Sequence, residues 1–493
     1  MGVEREAKLQ VPPGFRLPEL GGDGRVVTVH EPSRIVSTYF DTEDLDLVRW
    51  GCSLRDRPGE GWTVKLPSER DGDLLVRPEL VFDAPSGARR PPEPAVELLR
   101  AYVRDRRLAP VARLRTMRQA VEIADELGRP VAVVTDDEVS LMDGRRVATR
   151  FREVEIELAP GVSADRLDPI VDVLRAAGAG PVDNVSKLRR SLGPRSEEPP
   201  EVVIADVERG ASVADVVRRA FASSVVRLIR HDAGVRLGED PEDVHQARVA
   251  TRRMRSDLRL FRDVLEPTWT RSLRDELGWL GDRLGAVRDA EVLHDRLRER
   301  AAILGSSDRS EADALLAGLE RRRDAARQEL LAGMREPRYT DLLDRLVWGA
   351  ADPSFLDGAG TAAAADALPA LLEGPWKHLE TSIEHVASDP SDEALHAARI
   401  RAKRARYAAE AVAPVFGKTA RRFAEAAADL QDVLGEHQDA VVAGAWLHEA
   451  RSSEQAFVAG ELAALEAEAA AAARAAWPAA WKALSRKRLR FWT

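Results

Sequence analysis

The chain opens on a regular alternation. In Val3-Glu4-Arg5-Glu6-Ala7-Lys8-Leu9, the charged residues Glu4, Glu6 and Lys8 take every second position. Successive side chains of a β-strand point to opposite faces, so this period predicts a strand with two carboxylates and an ammonium on one side. The same period returns in Arg152-Glu153-Val154-Glu155-Ile156-Glu157-Leu158, which sets three glutamates against Val154, Ile156 and Leu158. Basic segments lie between the two acidic ones. Ser53–Arg57 aligns Arg55 with Arg57, Trp62–Leu66 offers Lys65, Val76–Leu80 aligns Arg77 with Glu79, and Ala112–Arg115 aligns Arg113 with Arg115. Lys187 follows in Val185–Leu188. Turn signals at Arg57-Pro58-Gly59-Glu60-Gly61 and Asp71-Gly72-Asp73 separate the strands. Strands with ordered polar faces predict a closed barrel with a charged lumen. Two helices interrupt it: one over Glu93–Arg107 behind Pro91, Pro92 and Pro94, and one near Ala164–Ala177 that ends at Gly178.

After a Pro-rich charged stretch, Gly193–Pro200, the period changes to that of helices rich in Ala, Leu, Arg and Glu. This second region repeats itself. His245-Gln246-Ala247-Arg248 through Arg255 matches His396-Ala397-Ala398-Arg399 through Arg406, 151 positions later. Leu284-Gly285 with Asp289 matches Leu434-Gly435 with Asp439, 150 positions later. Two nearly equal offsets predict a duplicated helical unit. On a helical wheel His245, Arg248, Arg252, Arg255 and Arg259 fall in a stripe about 80° wide, opposite Met254, Leu258 and Phe261. His396, Arg399, Lys403 and Arg406 form the second stripe, opposite Ala405, Ala409 and Val412. A solvated charged face gives the same pattern. Against that reading, acidic partners are nearly absent from both stripes, and exposed helices ordinarily mix signs. A stripe of one sign repels itself unless a polyanion is present.

The lumen would bring together groups of two kinds. Carboxylates are hard oxygen ligands for Mg²⁺ or Mn²⁺. Arginine and lysine hold phosphate, arginine in bidentate fashion. Unpaired buried charge is costly, so metal, polyanion and side chains would satisfy one another. That is the chemistry of phosphoanhydride hydrolysis, where positioning and charge neutralisation carry most of the catalysis.

Glu4-x-Glu6-x-Lys8 resembles the signature of the CYTH superfamily, the triphosphate tunnel metalloenzymes. Thr38–Thr42, Leu45-Asp46-Leu47, Ser53–Arg57, Arg77-Pro78-Glu79, Glu153-x-Glu155-x-Glu157 and Ser186-Lys187 match in the same order over roughly residues 1–192. The helical half, from about residue 211 onward, resembles the CHAD family of conserved-histidine α-helical domains, often fused to CYTH. The resemblance implies an α+β two-domain chain: an eight-stranded antiparallel β-tunnel, then an all-α pair of four-helix bundles related by a pseudo-twofold axis. The boundaries expected are 1–195 for the tunnel, 196–210 for a linker and 211–493 for the helical domain, with repeats at about 211–350 and 362–493. It further implies metal ligands among Glu4, Glu6, Glu153, Glu155 and Glu157. Lys8 and Lys65 become the catalytic lysines, and Arg55, Arg57, Arg77, Arg115 and Lys187 the substrate-binding residues. Asp136 or Asp137 is either a further acidic contributor or part of a turn. In the helical half, His245, Arg248, Arg252, Arg253, Arg255, Arg259, His396, Arg399, Lys403, Arg404 and Arg406 are implied to bind inorganic polyphosphate. Asp289 and Asp439 read as structural partners of the basic helices. The second copy departs at Lys403, and at His437-Gln438, which replaces Val287-Arg288.

Composition narrows the function classes. A formal net charge of −9 over 493 residues excludes a nonspecific DNA binder, so phosphate affinity must come from local sites. Cys52 is the single cysteine, which excludes an intramolecular disulfide and a cysteine-rich metal site. No secretory pattern opens the chain, and no apolar run approaches the ~20 residues of a membrane span. The expectation is a cytoplasmic protein, at polyphosphate granules, with no membrane and no specific nucleic-acid partner. Three functions are in play: a Mg²⁺- or Mn²⁺-dependent hydrolase of inorganic triphosphate or a related triphosphate, a non-catalytic polyphosphate-binding or targeting protein, and an adenylyl cyclase.

Overall fold

The computed structural model describes residues 2–22, 24–83, 90–450 and 455–492. The chain forms two compact units, Met1–Glu201 and Val202–Thr493.

The first unit is built on ten strands: β1 (Gly2–Gln10), β2 (Val26–Val29), β3 (Ser33–Asp41), β4 (Ser53–Arg57), β5 (Gly61–Lys65), β6 (Glu69–Asp71), β7 (Leu74–Phe82), β8 (Ala109–Ala124), β9 (Pro130–Asp143) and β10 (Arg146–Leu158). Eight close into an antiparallel ring in the order β1-β10-β9-β8-β3-β4-β5-β7, and β7 pairs back to β1 with Glu4 opposite Arg77. β2 and β6 are short additions on β8 and β7. Closure leaves the eight ring strands without a free edge, which is what lets a sheet enclose a cavity.

The alternation read in the sequence sets what faces where. Ala7 and Leu9 of β1, with Val154, Ile156 and Leu158 of β10, turn outward into a core shared with Ile170, Val171 and Leu174. These last three belong to α4 (Asp168–Ala176), the fourth of five short helices, after α1 (Asp46–Arg49), α2 (Glu93–Leu98) and α3 (Arg100–Val103). The expected helix over 93–107 is thus two short pieces. Arg104 closes the second with a φ of 53°, a left-handed backbone in which a helix cannot continue. α5 (Lys187–Leu192) is N-capped by the Ser186 hydroxyl, which accepts from the Arg189 amide, so Lys187 stands on a helix rather than a strand. Residues 196–201 pack on this unit: the Ser196 hydroxyl donates to the Arg189 carbonyl at 2.8 Å, and Glu201 pairs with Arg104 and Arg106.

The second unit is helical: α6 (Val213–Leu237), α7 (Pro241–Leu260), α8 (Pro267–Ala301), α9 (Ser306–Gly333), α10 (Pro337–Ala351), α11 (Ala364–Ser388), α12 (Asp392–Phe416), α13 (Lys418–Ala450) and α14 (Ala456–Leu484). The duplication is visible in the bounds. α6 and α11 are each 25 residues and begin 151 positions apart, as do α7 and α12. α10 stands outside the repeat. The copies meet symmetrically: the Val213 amide donates to the Ala362 carbonyl and the Ala364 amide to the Ala211 carbonyl, both at 2.9 Å. The two bonds are equivalents of each other, since Val213 corresponds to Ala364 and Ala211 to Ala362, as a local two-fold requires. Among the described residues no helix is long and apolar enough to cross a membrane.

Candidate active site and basic helices

The ring encloses a cavity of about 540 Å³. Glu4, Glu6 and Lys8 of β1, Glu155 and Glu157 of β10, Arg77 and Glu79 of β7, Lys65 of β5, Arg55 and Arg57 of β4, and Arg118 of β8 reach it, with Lys187 from α5. β4 lies four strands from β10 in either direction round the ring, so Arg55 and Arg57 face Glu155 and Glu157 across the lumen.

Opposite charges are threaded through this wall. Lys65 Nζ donates to both oxygens of Glu4, at 2.6 and 2.7 Å, and contacts Glu79 at 3.2 Å. Arg77 spans Glu4, through Nε at 2.8 Å, and Glu6. Lys8 joins Glu6, at 3.0 Å, to Glu155. Lys187 Nζ sits among Glu155 (2.6 Å), Asp137 (2.9 Å) and Glu153 (3.0 Å), and Arg118 donates to both Asp137 oxygens. Burial works to raise the Glu4 carboxyl, but Lys65 and Arg77 outweigh it and hold it at about 2. Burial likewise opposes the charges of Glu155 and Lys187. The cations around the first hold it well below the usual range, and the carboxylates around the second hold it well above.

Two groups are left poorly matched. Glu157 has its pKa raised by burial and then by Glu4, with Glu6 and Glu79 adding to the effect and Lys65 opposing it. It is also the register partner of Glu6 on β1, and like charges directly opposite one another destabilise a pair of strands. Across the lumen Arg57 has its pKa lowered by burial and then by Arg55, and its ion pair is with Glu60 at the exposed β4–β5 turn.

Among the described residues no three acidic, histidine or cysteine side chains converge as a ready metal shell. The donor chemistry nevertheless fits a hard divalent ion at one place. Glu4, Glu6 and Glu157 are neighbouring carboxylates whose mutual repulsion a cation would remove.

In the helical unit the predicted basic residues separate into three groups. At the centre, Arg248, Arg252, Arg399 and Lys403 lie close enough that, after burial, the three arginines push the Lys403 ammonium down to about 7, with Asp439 opposing. Arg248 pairs with Asp289 at 2.8 Å, and Arg252 Nε donates to the Tyr407 hydroxyl at 2.7 Å from the other copy. His245 joins this group, its pKa lowered by burial and, against Glu242, by Arg288, Arg252 and Arg248. In the second group Arg253 and Arg406 converge on Glu410. In the third, Arg255, Arg259 and Arg404 gather with Arg274 and Arg401.

A closed tunnel carrying the ordered acidic and basic set, followed by a duplicated helical unit with paired basic stripes, identifies the chain. It is a CYTH–CHAD protein. The CYTH domain matches residues 2–192 and the CHAD domain residues 219–448. Over 478 residues the chain is 31% identical to the uncharacterized protein Rv2226 of Mycobacterium tuberculosis, covering 89% of this chain and 87% of that one. The solved structure of PptA from Streptomyces chartreusis is 23% identical with a TM-score of 0.46, covering 55% of this chain and all of that one. The CHAD domain from the plant Ricinus communis is 28% identical with a TM-score of 0.45, covering 57% of this chain and 97% of that one.

The structure corrects four readings of the CYTH–CHAD sequence. Arg115 does not reach the tunnel. On β8 it is Leu114, Thr116 and Arg118 that line the cavity, so Arg113 and Arg115 point outward and Arg118 takes the expected place. Glu153 is fully buried behind Lys187 and Arg190, outside the cavity lining, which removes it from the metal-facing set. Asp136 and Asp137 lie within β9 rather than in a turn. Asp136 pairs with Arg152, while Asp137 anchors Arg118 and Lys187. The basic stripes are not free of acid: Glu410, one turn beyond Arg406 on α12, takes both Arg253 and Arg406. Arg118 was missed because Arg115, Thr116 and Met117 blur the alternation ahead of it.

The position of Lys187 yields a prediction. Removing one partner of a buried ion cluster leaves the others uncompensated and typically costs about 3–5 kcal/mol. Lys187→Ala is expected to lower urea-unfolding stability by roughly that amount at pH 7, because Asp137, Glu153 and Glu155 lose their shared ammonium. The loss shrinks at acid pH, where the carboxylates protonate. An unchanged denaturation midpoint at pH 7 would exclude this anchoring role.

Proposed function

We propose that the tunnel hydrolyses inorganic triphosphate or a closely related triphosphate compound with Mg²⁺ or Mn²⁺, and that the CHAD unit binds inorganic polyphosphate. The observation that carries this reading is the charge mismatch across the lumen. Glu157 is crowded by Glu4, Glu6 and Glu79 on one wall, and Arg57 is crowded by Arg55 on the other. A cation on the first wall and a phosphate chain on the second relieve both at once. Pure phosphate capture has no use for the carboxylates, which favours an enzyme over a non-catalytic binding protein. The proposal places the protein in the cytoplasm, at polyphosphate granules.

In this reading Glu4, Glu6 and Glu157 would hold a divalent ion, which would supply positive charge to the phosphate oxygens and to the attacking water. Lys8 bridges Glu6 to Glu155 and Lys65 bridges Glu4 to Glu79, which holds these carboxylates in place. Arg55, Arg57 and Arg118 hold the phosphate chain in line and neutralise the charge that develops on the leaving group. Arg77 fixes Glu4 and Glu6 at the same time, and thereby fixes the acidic wall.

Purified full-length protein is to be tested with Mg²⁺ and with Mn²⁺ against triphosphate, thiamine triphosphate, ATP and long-chain polyphosphate. Glu6→Gln should abolish turnover with the circular-dichroism spectrum unchanged. Arg57→Ala should lower kcat/KM by about 10²–10³, the usual cost of one transition-state donor. Near-normal hydrolysis by the Glu6 variant would remove the metal assignment, and an unchanged kcat/KM in the Arg57 variant would remove the substrate assignment of β4.

The CHAD unit should show its own pH dependence, carried by Lys403. Its ammonium titrates at about 7 when the site is free, because of burial and of Arg252, Arg399 and Arg248. A bound polyanion raises that value, so the added affinity is full below pH 7 and is lost as pH rises through the raised pKa. Polyphosphate affinity should therefore fall between pH 7 and 9, by at most about tenfold per pH unit for the one proton involved. Lys403→Arg should flatten the slope. A profile identical in both proteins would place the pH response elsewhere.

A further inference from the structure

The duplication allows each side chain in one copy to be set against its equivalent 151 positions away. Around Glu410, the Arg406 guanidinium donates at 2.7 Å and Arg253 forms a second ion pair. The equivalents of Arg253, Arg406 and Glu410 are Arg404, Arg255 and Arg259. One side of the two-fold therefore carries two cations around an anion. The other side carries three cations at the same three positions.

More positive charge gathers on that second side. Arg274 and Arg401 adjoin the group, and Arg274 has a buried Nε with no hydrogen bond. Among the described residues none of Arg255, Arg259, Arg274, Arg401 and Arg404 is in an ion pair. The acid at hand is Asp263, which pairs with Arg262 at 3.4 Å. Burial, and then Arg259, Arg401 and Arg274, push the Arg404 guanidinium down to about 10, and Arg259 is lowered in the same way. The arginines are not packed shut against one another. A cavity of about 330 Å³ opens between α7, α11 and α12, where Arg259, Arg262, Arg401, Arg404 and His378 of α11 line it against a single carboxylate, Asp263.

Guanidinium groups that outnumber the acid beside them repel one another unless an anion arrives. Their planar forks suit phosphate oxygens, and several converging forks select multiply charged phosphate over a single carboxylate. We infer that the cavity lined by Arg259, Arg401, Arg404 and His378 is a binding site for a phosphate-bearing anion, separate from the central Arg252–Lys403 group. The other copy has an equivalent cavity of about 340 Å³, but there Glu410 stands in place of Arg259 and pairs with Arg253. The inference does not depend on the central group binding polyphosphate.

The test follows the His378 ring by NMR in the full-length protein, with the signal assigned by loss in His378→Gln. Inorganic triphosphate is the first probe and long-chain polyphosphate the second. Both probes should shift the His378 signal saturably in the wild type and in the Arg252→Glu/Lys403→Glu double variant. Arg259→Glu should weaken the response at least about tenfold, because the new carboxylate neutralises the site as Glu410 does in the other copy. That existing arrangement also gives the variant a folded precedent. Should it fail to fold, Arg401→Gln takes its place and should weaken the response in the same direction. The inference is overturned if triphosphate leaves His378 unmoved in the wild type, if the response survives undiminished in the folded variant, or if it disappears in the central double variant. The last result would show one continuous site. Loss of overall polyphosphate affinity in the double variant, read by a separate titration, reports on the central group alone and so keeps the two readings apart.

Discussion

Buried charge must be matched, and the tunnel is built around that requirement. Its interior carries an unbroken alternation of sign: Glu79 to Lys65, Lys65 to Glu4, Glu4 to Arg77, Arg77 to Glu6, Glu6 to Lys8, Lys8 to Glu155, Glu155 to Lys187, Lys187 to Asp137, and Asp137 to Arg118. Each ion alone would be expensive to remove from water, but the series satisfies itself. It also fixes the closure of the ring. Arg77 reaches Glu4 and Glu6 only because β7 pairs with β1 in a register that sets Glu4 opposite Arg77. A slip of one residue would turn every lumen charge into the apolar layer under α4. The sheet register and the charge network therefore specify each other.

What could be read from the sequence follows from this coupling. The strands β1 and β10 were legible because one face had to be charged and the other apolar, and apart from Arg5 and Arg152 the residues obey that rule over seven positions each. β8 was not legible in the same way. It is 16 residues long and pairs with β2, β3 and β9, and its inward face mixes Leu114 and Thr116 with Arg118. No simple period shows which parity points inward, and Arg115 stands on the outer face. Glu153 keeps the period of its strand but is fully buried against Lys187 and Arg190 of α5, six residues whose start is marked by Ser186. The identity of Lys187 was visible in the sequence, but its position as the hub of three carboxylates was not.

The helical unit shows the limit of a wheel. Projection onto one helix put Arg255, Arg259 and Arg406 in stripes with Arg252 and Lys403. The structure divides them because α7 and α12 cross near a two-fold, so residues on one stripe meet different partners on either side of the crossing. Arg248 meets Asp289, Arg252 meets Tyr407, and Arg259 meets Arg401. A single helix gives the angular spread of its charges but not the identity of what packs against them.

The same requirement that closes the tunnel therefore gives the two halves of the helical repeat different characters. A duplicated unit begins with equal environments on both sides of its axis. Differences at equivalent positions, among them Glu410 against Arg259 and Ala250 against Arg401, leave one side a neutralised ion cluster and the other a concentration of unpaired guanidinium groups. Folding tolerates the second arrangement because the cavity beside it admits solvent and counterions, which screen what a dry core could not. A surface made this way is not evenly basic. On the proposed reading its affinity for anions is concentrated where acid is scarce, a position set by a few side chains that differ between the copies and not by the net charge of the molecule, which is negative.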